Sequence, residues 1–67
     1  MSGLDENEKK ILKAIHEQYG IEQNTLVLRT DLSKSKVSLV LSDFEKKNLI
    51  KRVKKGKTYQ IFLKKKF

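Results

Sequence analysis

Ser35, Ser38 and Ser42 recur at intervals of three and four residues, with Leu39 between the last two and Lys34 and Lys36 on either side of the first. On a helix that spacing gathers the serines and the leucine on one side. A face meant only for water is normally built from Glu, Lys and Arg, whereas each serine weakens a helix by roughly a few tenths of a kcal/mol. Short hydroxyls let a helix come close to another surface. They can donate to or accept from a base edge or a phosphate, and an apolar Leu39 suits a thymine methyl. The plainer alternative is a set of serines that only keep the helix soluble.

The elements around this face follow from periodicity. Val37, Val40, Leu41 and Phe44 stand at i, i+3, i+4 and i+7, the inward stripe of a helix running from about residue 33 to 47. Ser33 is placed to cap its start, and Asn48 to close it in the left-handed conformation. Upstream, Asp5 and Glu8 form the pattern of a capping box that opens a first helix over about 5–19. Ile11, Leu12, Ile15 and Tyr19 form its apolar stripe, and Gly20 ends it. Ile21 reads as a single buried strand residue, followed by a second helix from Glu22 or Gln23 to Thr30, with Leu26, Leu28 and the following Leu32 inward.

After Asn48 the period drops to two. Leu49–Val53 and Thr58–Leu63 read as strands joined at Lys54-Lys55-Gly56-Lys57. A two-residue loop at Lys55-Gly56 would pair Ile50 with Ile61, and a three-residue loop would pair Val53 with Tyr59. Tyr59, Ile61 and Leu63 are expected on the face toward the helices, leaving no aromatic platform for single-stranded nucleic acid. Phe62 then points away, to pack on a tail ending in Phe67 or to mark a protein contact. The fold class is α+β, a three-helix core with a C-terminal hairpin, in one domain spanning 1–67 whose ends, 1–4 and 64–67, are expected to fray.

Charge is unevenly placed along this order. Residues 1–22 hold three lysines against five acids, a net of −2, and residues 23–67 hold thirteen basic residues against three acids, a net of +10. From Lys46 to Lys66 there are ten basic residues and no acid. A one-signed field over half of so small a domain concentrates and steers a polyanion. Lysine enrichment also serves solubility and heat tolerance, so charge favours nucleic acid without deciding it.

Other chemistry finds little support. A domain of this size has a core worth about 3–5 kcal/mol and no room for an enclosed active site. No carboxylate pair, nucleophile with a base, or glycine-rich phosphate loop is visible, so no enzyme activity and no cofactor are assigned. Cysteine is absent and His16 is the sole histidine, so no metal site is assigned. There is no apolar run long enough to span a membrane and no signal-peptide core. A soluble, cytoplasmic protein without membrane partners is expected.

Helix, short strand, helix, turn, helix and basic hairpin is the order of a winged helix-turn-helix domain. From about Leu4 to Leu63 the sequence resembles the bacterial and archaeal MarR-like group of such domains. Leu32-Ser33-Lys34-Ser35-Lys36-Val37-Ser38 is similar to that group's Leu-Ser-x-Ser-Thr-Val-Ser, and Phe44-Glu45-Lys46-Lys47-Asn48-Leu49-Ile50-Lys51-Arg52 to its Leu-Glu-x-x-Gly-Leu-Ile-x-Arg. The resemblance implies a transcription regulator, or its DNA-binding part, that docks on double-stranded DNA. The helix at 33–47 would enter the major groove and the wing at 52–58 would reach the backbone or minor groove. Ser33, Lys34, Ser35, Lys36, Ser38 and Leu39 would then lie at the groove and Gln23 and Thr25 near phosphates. Arg52, Lys54, Lys55 and Lys57 would serve the wing. Three positions depart from the pattern: Glu22 replaces a Ser or Thr cap, Asp31 replaces a turn Gly, and Leu39 replaces an Arg able to contact guanine. The group's long dimerisation helices have no counterpart, leaving a homodimer through another face or a place in a larger regulator open. An alternative function is a protein-interaction adaptor anchored by Leu39 and Phe62.

Overall fold

A computed structural model describes residues 5–64. Three helices, α1 (Glu6–Glu17), α2 (Gln23–Thr30) and α3 (Lys34–Lys46), precede a hairpin of β1 (Ile50–Lys55) and β2 (Thr58–Leu63). This is a winged helix-turn-helix, as the sequence order implied.

The capping box at Asp5 forms: its carboxylate accepts the Glu8 N–H at 2.8 Å, and Glu8 accepts the Asp5 N–H at 2.9 Å. Ile11, Ala14 and Ile15 are buried along α1. Tyr19 is not, and at 82% exposed it corrects the expected stripe. The cause is local, because Gln18 already adopts an extended conformation and turns the chain out of the helix before Tyr19 is reached.

Ile21 then enters the core, and its carbonyl accepts the Ile61 N–H at 2.8 Å, which ties the linker to β2. In α2 the buried positions are Gln23, Leu26 and Thr30, spaced i, i+3 and i+7. Leu28, expected inward, is 81% exposed. Two residues on a helix are separated by about 200°, so Leu26 and Leu28 cannot share a face. Leu32 packs half-buried against the core.

Asp31 closes α2 with φ 58°, a left-handed turn that Asp tolerates better than most side chains. Ser33 caps α3 by accepting the Lys36 N–H at 3.0 Å. Val37, Val40, Leu41 and Phe44 are all buried, and Asn48, with φ 63°, closes the helix.

The hairpin register is Ile50↔Leu63 through Lys55↔Thr58, with Gly56-Lys57 as the loop. Neither register offered by the sequence is correct. Gly56, with φ 62°, takes the first central position of a two-residue turn, as in the II′ type, instead of the second. The shift from the Ile50–Ile61 pairing is two residues, which preserves the faces. Ile61 is therefore buried and Leu63 packs on the core as expected. Tyr59 is 38% exposed, however, with the Arg52 guanidinium 5.3 Å from its ring centroid.

Phe62, pointing away from the core, meets Tyr19 edge-on at 5.1 Å. The expected contact with Phe67 lies outside the described residues, as does the expected fraying of 1–4 and 65–67. Lys64 is held: its N–H donates to Leu49 O at 2.8 Å and its Nζ to Asn48 Oδ1 at 2.6 Å.

The corrected burial can be tested by denaturation. Phe44→Ala should cost about 3–5 kcal/mol, most of what so small a core supplies, and leave the chain largely unfolded by circular dichroism at 25 °C. Leu28→Ala should change stability by less than about 0.5 kcal/mol.

Candidate nucleic-acid interface

Burying the Val37–Phe44 stripe turns the opposite side of α3 outward. Between that side and the first turn of α2 lies an open groove of about 600 Å³ lined by Gln23, Lys34, Ser35, Ser38, Leu39 and Ser42. Lys34, Ser35 and Leu39 are exposed, Ser38 and Ser42 half-buried, and Leu39 is 65% open. Ser42 was read from the sequence as outward-facing but not placed among the contacting residues. It stands seven residues, nearly two turns, after Ser35, and that spacing was the available signal.

Gln23 differs from its expected role near phosphates. It is only 8% exposed, and its Oε1 is buried without a hydrogen-bond partner among the described residues. Thr25 is half-buried in the same first turn. Glu22 makes no side-chain cap, so the departure from Ser or Thr leaves the α2 N-terminus uncapped by its own N-cap side chain.

The wing is cationic at its tip. Lys54, Lys55 and Lys57 are exposed. The Lys55 ammonium stands 3.8 Å from Glu22, so the wing reaches the start of α2, next to the residue that lines the groove. Arg52 is placed differently from the three lysines. Its Nε and Nη2 donate to Glu45 Oε1 at 3.1 and 2.9 Å, and its side chain is 20% exposed. Arg52 thus braces the root of the wing against α3. Lys34, Lys36, Lys54 and Lys57 form no ion pair among the described residues. His16 is exposed, and no group of acidic and histidine side chains among the described residues could hold a metal.

Residues 4–64 match the model of a family described as a domain of unknown function, DUF7343. The chain belongs to this family. No curated protein matches it. Among solved structures it is similar to the PcaV transcriptional regulator from Streptomyces coelicolor, crystallised in complex with its natural ligand. The TM-score is 0.86 and the identity 22%, over 92% of this chain and 46% of that one. At that identity the structural likeness shows the fold alone, and this chain spans about half the length of that regulator.

The unpartnered acceptor of Gln23 carries a stability cost. Gln23→Met keeps the volume and removes the acceptor, so it should stabilise the domain by about 1 kcal/mol, raising Tm by about 4–8 °C in a thermal melt.

Proposed function

We propose that this domain binds double-stranded DNA as the reading module of a transcription regulator, with α3 in the major groove and the wing on the adjacent backbone or minor groove. The observation that carries the reading is an α3 outer face left uncovered by the described residues beside a wing tip of exposed lysines. Ser33, Lys34, Ser35, Lys36, Ser38, Leu39 and Ser42 meet the groove, and Gln23 and Thr25 lie at its edge. Lys54, Lys55 and Lys57 meet phosphates, while Arg52 sets the angle of the wing. The similarity in fold to a transcriptional regulator supports this reading. It describes a binding module acting in the cytoplasm, not an enzyme. No helix among the described residues is long and apolar enough to cross a membrane. A partner copy or a larger regulator would set the spacing of two half-sites.

The adaptor alternative loses an anchor, because Phe62 is already engaged by Tyr19. Tyr19 itself is open, so an aromatic surface does exist on the far side of the hairpin. The hollow it lines shares no residue with the serine-lined groove.

Titration of duplex DNA at several salt concentrations tests the reading. If about six cations neutralise phosphates, log K should fall against log salt with a slope of about −5, and a flat response would refute it. Replacing Lys54, Lys55 and Lys57 with Ala should weaken binding to all sequences alike and reduce the slope by about 2.7.

A further inference from the structure

The sequence contains two arginines, and both are committed away from the α3 groove. Arg29 donates to Glu17 at 2.9 Å and Gln18 at 3.2 Å, joining α2 to α1. Arg52 is held by Glu45 and covered by Tyr59. The commonest reader of a guanine edge, a bidentate guanidinium, is therefore missing from the groove.

What the groove offers instead is an apolar side chain 65% open, surrounded by hydroxyls short enough not to hold a surface away from it. In the major groove only thymine presents a 5-methyl group, and a methyl suits an open leucine. Gln23 lines the same groove, but its Oε1 is buried and is not offered to a base.

We infer that the groove selects A·T pairs, with Leu39 as the specificity-determining residue that takes the thymine methyl. The inference rests on the DNA-binding reading above and adds what is read. Lys34, at the first position of α3, contacts phosphate or a neighbouring base and does not supply the methyl preference.

The test uses the full chain and a duplex selected by it from a random pool, with each thymine in turn replaced by uracil, which lacks only the methyl. For the unaltered protein, uracil at a thymine of each half-site should weaken binding about fourfold, the value of one buried methyl. Leu39→Ala, at an exposed position, should bind more weakly and lose all response to that replacement. Leu39→Met should keep the response, as should Lys34→Ala.

Uracil at every thymine leaving the affinity unchanged would overturn the inference. So would a Leu39→Ala protein as methyl-sensitive as the parent, or a selected site with G·C pairs under the groove. Each of these outcomes still includes salt-dependent duplex binding and leaves the broader reading standing. Absence of any duplex binding at low salt would remove both.

Discussion

The rotation of α3 about its own axis decides everything this domain presents to a partner. Val37, Val40, Leu41 and Phe44 are buried in one core with Ile11, Ile15, Leu26, Ile50 and Ile61. Close packing of these side chains leaves the helix one orientation. Because the inward stripe is fixed, Ser35, Ser38, Leu39 and Ser42 must face out. The serines are poor choices for helix stability, and the buried face offsets that weakness. Fold and candidate site are thus opposite sides of one helix.

Electrostatics divides the basic residues into two groups. Glu17 and Glu45 hold the two arginines in place, and these pairs join α1 to α2 and α3 to the wing. Such half-exposed pairs contribute modestly to stability but fix the direction of what they join. Most of the lysines are left to solvent, including the wing-tip set, where a compact ammonium serves phosphate as a point charge. The arginines therefore serve as struts, and the lysines are the cations left open to a polyanion. On the DNA-binding reading proposed above, the consequence is general attraction to nucleic acid with no guanidinium at the groove.

Much of this was legible in the sequence because it depends on local rules. The capping box at Asp5, the Ser33 cap, the left-handed turn at Asn48 and the α3 stripe are each set within a few neighbouring residues, and each stands where it was read. The failures arose where a decision depended on partners distant in the chain or on one backbone torsion. Tyr19 left its stripe because Gln18 unwound first. Leu28 was assigned by hydrophobicity against its own angular position. The hairpin register turned on whether Gly56 took the first or second place in its turn, and only the parity of the shift preserved the faces. Arg52 was read as a wing cation because nothing in local sequence shows that Glu45, seven residues earlier, lies within reach. The buried oxygen of Gln23 left no sequence signal, since an amide at the start of a helix is ordinarily solvated.

The central claim is that the outer side of α3 and the wing tip form one docking face. Amide shift mapping during titration with a duplex tests it most directly. The account predicts shifts concentrated at Ser35, Ser38, Leu39, Ser42 and Lys54–Lys57, with Leu12 and His16 on α1 unmoved. Shifts centred on Tyr19, Phe62 and Lys51, with α3 silent, would contradict it.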